Sequence, residues 1–255
     1  MESLNHILQI PEKCMVNKRI PKAFFKRNFD LTLSERKLLD DPNIILQIYW
    51  MASIRPEQSN IPSFINETET FEEVQIITVQ IVEKNFEKWA TKVIELIQKY
   101  LPYHLVLFVY SEMEFILHCA LKKINQNDSS RRTIEKVFVT EKINPASPVG
   151  VQQLFLNSLG FYNLNKSDLK EFYDSYCIAI TGLRTSNITG EYEVRPLDRS
   201  KNDVTQLDEI RKLELEIMAL QNQVKKETQL NVQVQINSEV QYRRKKIETL
   251  KNILK

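Results

Sequence analysis

The chain after Pro196 contains neither glycine nor proline, and its composition shifts there to Glu, Lys, Gln and Leu. Glycine and proline are the residues that most often end a helix, so the sequence contains no helix-ending residue over this stretch. The composition is typical of a coiled coil or a long helix. We therefore expect a coiled-coil arm over residues 203–255, following a separate domain at residues 1–197.

Apolar residues in the arm recur in alternating steps of three and four, which is the a/d spacing of a helical seam. They form two series, and we identify their members as the candidate partner interface. The first series holds Leu213, Ile217, Leu220 and Val224 and reaches Val234. The second holds Ile236, Val240, Ile247, Leu250 and Leu254, with Arg243 at one of its positions.

The two series are out of phase, because the two residues from Val234 to Ile236 correspond to roughly 200° of helix rotation. They overlap in the stretch "QLNVQVQINSEV", where apolar and polar residues alternate. We favour one unbroken helix, whose length of roughly 75 Å would need a second copy or another protein to cover it. Two alternatives are a turn near Asn231, which would make an antiparallel hairpin, and a helix folded back on its own domain.

The first 197 residues read as α+β with a mainly antiparallel sheet and flanking helices. "NIILQIYWMASI" predicts a strand, and "FEEVQIITVQIV" predicts a central one because both of its faces are largely apolar. A helix at "NFEKWATKVIELIQKY" follows, with Asn85 as its cap, and a shorter one at "LSERKLL" has Ser34 as a possible cap. "YHLVLFVY" and "EFILHCALKKI" predict a hairpin, "RRTIEKVFVTEKI" a further strand, and the segment after Pro148 two helices.

Composition limits the classes of function. A net charge of +2 gives no whole-molecule field for binding nucleic acid or acidic lipid. Only four glycines are present, which argues against glycine-rich nucleotide loops, and no cofactor is expected. The three histidines have no metal-ligand spacing, so no metal is expected either. Without a membrane-length apolar run or a signal-peptide pattern, and with an odd number of widely spaced cysteines, the expected location is the cytoplasm.

The stretch "NKRIPKAFFKRN" is a concentrated basic segment near the N-terminal end of the sequence. Its cations are Lys18, Arg19, Lys22, Lys26 and Arg27, and Phe24 and Phe25 lie among them. Cations can meet phosphates while aromatic rings stack on bases, so these five residues are candidate nucleic-acid contacts. The alternative is that the phenylalanines enter the core and the cations form a solvated rim.

A metal-dependent nuclease is a third reading. It would place an acid before one strand and an acid with a lysine on another, so that the carboxylates hold a cation and the lysine polarises water. Glu72 or Glu73 could supply the first part of such a scheme. Glu135 with Lys136, or Glu141 with Lys142, could supply the second.

Several stretches taken in order resemble the bacterial family called domain of unknown function 4391. They are "NKRIPKAFF", "QIYWMASIRPEQSNIP", "FEEVQI", "LPYHLVLFV" and "LEIMALQNQVKKETQLNVQVQINSEV". The resemblance implies a gene context of SNF2-class helicases and DNA methyltransferases in restriction-like or phage-defence clusters. It implies no catalytic residue and no cofactor.

These observations together predict a non-catalytic accessory subunit of a bacterial DNA-processing complex with a role in anti-phage defence. The arm would join it to a second copy, or to the neighbouring helicase and methyltransferase. A nucleic-acid-binding module that uses the basic stretch is the alternative, and a nuclease is the third reading.

Overall fold

The computed structural model describes the backbone of residues 2–124 and 132–255, with the side chains of residues 4–123 and 132–255. The chain divides into two compact units, Met1–Ile180 and Thr181–Lys255. Helix α7 (Leu169–Thr189) contributes residues to both. The boundary therefore comes earlier in the chain than the expected one, which falls between residues 197 and 203.

A six-stranded sheet forms the centre of the first unit. Its strands, in spatial order, are β1 (Met15–Ile20), β2 (Ile45–Ile54), β5 (Val74–Ile81), β6 (His104–Tyr110), β7 (Phe115–Ile124) and β8 (Arg132–Val139). Neighbouring strands are antiparallel except β5 and β6, which are parallel. The predicted α+β fold with a mainly antiparallel sheet is confirmed. A separate two-stranded ribbon pairs β3 (Phe64–Ile65) with β4 (Thr70–Phe71).

The parallel pair in the middle of the sheet follows from the sequence of its connection. Helix α5 (Phe86–Tyr100) joins β5 to β6, and a parallel connection of this kind needs a crossover element. The buried side of α5, which includes Val93 and Ile97, packs into the apolar core on one face of the sheet. Strand β5 is buried on both faces, as its two apolar faces predicted.

The remaining helices of the first unit are short. They are α1 (Glu2–Leu8), α2 (Lys22–Asn28), α3 (Leu33–Asp40), α4 (Pro56–Ser59) and α6 (Val151–Ser158). Helix α3 begins with a capping box, in which the Thr32 hydroxyl accepts from Glu35 N and the Glu35 carboxylate accepts from Thr32 N. The cap is therefore Thr32 and not Ser34. Asn85 does not cap α5 through its side chain, which instead donates to the Asn43 carbonyl 2.6 Å away.

The arm is two helices, α8 (Leu197–Val224) and α9 (Leu230–Leu254), and the preferred single helix is wrong. The chain turns over residues 225–229, slightly earlier than the Asn231 turn of the alternative. A side chain makes this turn without glycine or proline, because Glu227 Oε1 accepts from the backbone N–H groups of Thr228 and Gln229, both at 2.8 Å. The Gln233 amide then donates to the Glu227 carbonyl at 2.7 Å and ties the start of α9 to the turn.

The hairpin explains why the two apolar series are out of phase. Leu213 and Ile217 on α8 share one buried cluster with Val240, Ile247 and Leu254 on α9, so each series faces the other. The alternating stretch is the first half of α9. Its Val232 and Ile236 are half-buried, whereas Leu230 and Val234 are exposed.

Gly182 marks a close approach inside the second unit. A Cβ atom at this helical position would lie 2.4 Å from the Glu193 carbonyl oxygen and 3.2 Å from the Tyr192 ring. Replacing glycine by alanine in a helix normally raises the free energy of unfolding, so a decrease at this position would reveal the close approach. We expect Gly182→Ala to lower the free energy of unfolding by about 2 kcal/mol, because backbone must move to admit the methyl group.

Urea unfolding followed by circular dichroism at 222 nm measures this effect. Gly160→Ala is the matched control, since its added Cβ would meet nothing closer than a flexible side-chain atom of Asn163 at 3.4 Å. Equal unfolding midpoints for the two variants would contradict the close approach at Gly182.

Among the helices in the described residues, none is long and apolar enough to cross a membrane.

Candidate interaction surfaces

The basic N-terminal stretch folds as an edge strand followed by a helix. Lys18 and Arg19 are exposed on β1, the strand at one edge of the sheet. As neighbours in a strand they direct their side chains to opposite faces. The pairing of β1 with β2 shifts between Met15 and Lys18, where Asn17 has φ +52°. An irregular edge of this kind is poorly suited to pairing with a further strand.

The aromatic residues of this stretch have divided roles. Phe25 is completely buried in the core, whereas Phe24 is 40% exposed and lies 5.6 Å from the Phe25 ring centre. The alternative in which phenylalanine enters the core therefore holds for Phe25. Phe24 is the ring that remains accessible to a ligand.

The three cations of α2 have different surroundings. Lys26 pairs with Asp40 at 2.9 Å, and both side chains are largely exposed. Burial lowers the pKa of Lys22, and Arg19 and Lys26 are close enough for their positive charges to add to that effect. Arg27 is exposed. The fold thus gathers Arg19, Lys22 and Lys26 at one place, next to an acid that partly neutralises them.

The ten candidate interface residues of the arm lie mostly inside the second unit. Five are buried, namely Leu213, Ile217, Val240, Ile247 and Leu254, and four are half-buried, namely Leu220, Val224, Ile236 and Leu250. The five buried residues share one apolar cluster, against which Leu220 and Leu250 pack, so most of this seam is covered within the unit. Val234 is the one of the ten that is exposed.

Other apolar residues of the hairpin point outward. Leu215 and Met218, one turn apart on α8, are 60% and 59% exposed. Leu230 and Val234, one turn apart on α9, are 74% and 58% exposed. We call these four residues, one exposed pair on each helix, the tip surface, because they lie in the half of the hairpin nearest the turn. The seam pattern gave no signal for Leu215, Met218 or Leu230, since they lie between the a/d positions.

Four consecutive cations of α9, residues 243–246, form a basic run, and ion pairs along the hairpin use two of them. Arg243 pairs with Glu216 at 2.8 Å, and Lys246 pairs with Glu209 at 2.6 Å. Both pairs join α9 to α8. The other two cations of the run, Arg244 and Lys245, line an open cleft of about 690 Å³ together with Glu214 and Glu248.

Two carboxylates of the nuclease scheme, Glu73 and Glu135, are held in separate ion pairs. Glu73 pairs with Arg55 at 2.7 Å, and Glu135 pairs with Lys123 at 2.9 Å. Glu73 precedes β5 and Glu135 lies in β8, which are three strand positions apart, or about 14 Å. Lys142 lies against Glu87 instead. In the part of the chain that the structure describes, no three His, Cys, Asp or Glu side chains are arranged to hold a metal ion.

A group of buried polar residues lies at one end of the β6–β7 pair, and no sequence pattern indicated it. The ladder between these strands stops at Leu107 and His118. Beyond it the Tyr173 hydroxyl accepts from Ala120 N at 2.8 Å and lies 2.9 Å from Ala120 O and 3.2 Å from Leu105 O. A side chain of α7 thus replaces the next ladder bonds and holds the two strands apart.

Lys122 occupies the space where the strands separate. Its Nζ donates to the carbonyls of Leu101 at 2.7 Å and Tyr103 at 3.0 Å, just after α5 ends. A cation here satisfies acceptors at the negative end of the helix dipole. Burial lowers the pKa of Lys122 to about 7, and the charge of Arg132 adds to the effect.

Two histidines and one aspartate complete this buried group. Burial lowers the pKa of both His104 and His118 to about 3, and Lys122 contributes in each case. His104 stacks on Phe71, with ring centres 3.6 Å apart, and its Nε2 donates to the Thr70 carbonyl. Burial raises the pKa of Asp174 to about 6, although the Lys170 amine lies 2.6 Å from its carboxylate. The contacts of His104 and Lys122 are to backbone carbonyls and rings, so these two residues stabilise the fold.

The chain was compared with known families and proteins. Residues 8–247 match the family described as Domain of unknown function (DUF4391). No curated protein and no solved structure matches the sequence. Because the match covers nearly the whole chain, the resemblance that its motifs indicated is confirmed, and the protein belongs to the DUF4391 family.

Proposed function

We propose that this protein is a non-catalytic accessory subunit that joins a larger assembly through the tip surface of its C-terminal hairpin. The observation that supports the proposal is the exposure of Leu215, Met218, Leu230 and Val234 on helices whose own seam is already filled. Burying a side chain of this size is worth about 1.5–3 kcal/mol. In the isolated chain these four side chains stay in water, and burial against a partner would provide this free energy.

The form of the surface suggests the form of the partner. Each exposed pair is spaced by one helical turn, which is the spacing at which a second helix packs. The cross-hairpin pairs Arg243–Glu216 and Lys246–Glu209 hold α8 and α9 together, so the surface is preorganised. We therefore propose that a partner helix packs on the Leu215–Met218 pair of the tip surface in the manner of a coiled coil.

The identity of the partner rests on the family resemblance. It implies SNF2-class helicases and DNA methyltransferases encoded nearby, and hence a DNA-processing complex with a role in bacterial anti-phage defence. We propose the helicase as the partner and the cytoplasm as the site of assembly. A second copy of the chain is the other candidate for the same surface.

Affinity purification of the full chain from its native host tests this proposal. We expect the wild-type chain to retain a helicase of the SNF2 class, identified by mass spectrometry. Leu215→Glu combined with Met218→Glu should reduce the retained partner at least tenfold, because charge replaces the buried contact. Asn202→Glu combined with Asn252→Glu is the control, with the same charge change at exposed positions of α8 and α9 outside the tip surface.

Two results would count against the tip surface. One is a wild-type chain that purifies alone as a monomer, and the other is equal retention of the helicase by the tip variant and the control. If the wild-type chain purifies only as a homo-oligomer, the tip surface binds a second copy of the chain and not the helicase.

Nucleic-acid binding by the basic N-terminal stretch is a second candidate function. The exposure of Lys18, Arg19 and Arg27, together with the accessible Phe24 ring, favours it. Its affinity should fall steeply with salt and fall further when Lys18, Arg19, Lys22 and Arg27 become alanine. DNA binding that responds to neither change would remove this candidate.

A further inference from the structure

Three lysines form an exposed row where α5 begins. Lys84 lies in the short turn before the helix, and Lys88 and Lys92 follow at intervals of four residues, so the row is about 12 Å long. Like charges at this spacing destabilise a helix. Their mutual repulsion therefore costs stability in the isolated chain.

The nearby acids are engaged elsewhere. Glu83 accepts from the backbone N–H groups of Glu112 and Met113, at 3.1 and 3.3 Å. Glu87 pairs with Lys142. Glu95 lies beyond the end of the row on the same helix. Among the described residues, no carboxylate lies within ion-pair distance of Lys84, Lys88 or Lys92, so no ion pair neutralises an amine of the row.

An aromatic ring lies within the row. The amines of Lys88 and Lys92 are 5.0 and 4.8 Å from the centre of the Trp89 ring, within the range of a cation–π contact. Trp89 is half-buried and packs against the apolar core beneath α5, which fixes the ring in place. The surface thus presents a fixed aromatic platform with a cation on each side of it in sequence.

We propose that Lys84, Lys88, Trp89 and Lys92 form a binding site for single-stranded nucleic acid. The lysines contact successive phosphates, and as their amines move to the phosphates the indole becomes available to stack on a base. A duplex fits less well because its bases are already stacked within the helix. This site is separate from the tip surface, and it stands or fails independently of the partner proposal.

Fluorescence anisotropy of a fluorescein-labelled oligothymidine 15-mer, titrated with the full chain at low salt, tests the proposal. We expect Lys84→Gln combined with Lys88→Gln and Lys92→Gln to weaken binding at least about tenfold. The slope of log affinity against log salt should fall by about 2, because three phosphate contacts are lost. The matched control is Lys225→Gln combined with Lys226→Gln and Lys245→Gln, which changes the same charge at three exposed positions of the hairpin and should weaken binding less than twofold.

Tryptophan emission gives a second readout. The chain has two tryptophans, so a Trp50→Phe background leaves Trp89 as the reporter. We expect saturating oligothymidine to quench Trp89 emission. The proposal is overturned by absence of binding at low salt, by equal weakening in the row variant and the control, or by unchanged Trp89 emission at saturation. Displacement of the oligonucleotide by polyglutamate as efficiently as by unlabelled oligothymidine would also overturn it, and would indicate an acidic protein segment instead.

Discussion

Asp203→Ala is expected to lower the free energy of unfolding of the C-terminal unit by about 3 kcal/mol. The Asp203 side chain is 1% exposed and accepts from Arg195 at 3.1 Å and from Arg199 at 2.9 Å. Arg195 also donates to the Leu254 carbonyl at 2.8 Å, so the same guanidinium joins the start of α8 to the end of α9. Removing the carboxylate leaves the largely buried Arg195 with the more exposed Glu193, 2.9 Å away, as its remaining counter-charge.

Urea unfolding followed at 222 nm measures this loss. Asp203→Asn should fall between alanine and wild type, because the amide retains an acceptor oxygen but not the charge. Asp198→Ala is the control, since its side chain is 98% exposed and 3.9 Å from Lys201, and we expect no measurable change. A wild-type midpoint for Asp203→Ala would show that the network does not hold the hairpin together.

The first unit is expected to lose about 3 kcal/mol of stability between pH 7 and pH 5. His104 and His118 have a folded pKa of about 3, against 6.5 in the unfolded chain. Below pH 6.5 the unfolded chain therefore binds more protons, and stability falls as the pH falls towards 3. Asp174 acts in the opposite direction, because its folded pKa of about 6 exceeds its unfolded value of 3.8, and it recovers part of the loss below pH 6.

The slope of stability against pH separates this effect from a general loss of packing. His118→Leu removes one titrating ring, so the average slope between pH 6.5 and pH 5 should fall by about 1 kcal/mol per pH unit, whatever the variant's stability at pH 7. His6→Ala, at an exposed position outside the buried group, should keep the wild-type slope. An unchanged slope for His118→Leu would place the acid sensitivity elsewhere.

Much of the first unit could be predicted from sequence because its elements have clear patterns. The apolar run of β5, the helical spacing from Phe86 to Ile97 and the proline after α5 together specify a strand–helix–strand unit. Strand β1 was missed, since "MVNKRI" has an exposed, charged half and a bulge at Asn17. Such edge strands lack the alternation that reveals a half-buried strand.

The turn of the hairpin could not be read from residue types alone. Glycine and proline are the usual signals, and here the Glu227 carboxylate makes the turn through two hydrogen bonds. The phase difference between the two apolar series did indicate a hairpin, because two apolar series on one chain can pack against each other when the chain turns between them. Apart from Val234, the tip surface was missed for the same reason, since a single helix would have made the seams themselves the interface.

The buried residues of the first unit are hidden from sequence for a different reason. Lys122 lies in the strand run "FILHCALKKI" beside another lysine, and nothing local distinguishes the buried amine from the exposed one. Its partners are the carbonyls of Leu101 and Tyr103, which only the fold brings to it. Likewise, the sequence around Tyr173 shows only an aromatic residue on a helix, and the fold alone places its hydroxyl between β6 and β7.

The proposed partner surface requires that the arm folds on itself, because only then are the seams internal while the tip surface faces outward. A distance between spin labels at Asn202→Cys and Asn252→Cys in the full chain tests this most directly, because the three native cysteines are buried. Packed antiparallel helices place the two labels within about 25 Å of each other. A continuous helix would separate them by about 75 Å. We predict the short distance, and a distribution centred above about 60 Å would contradict the hairpin and the partner surface inferred from it.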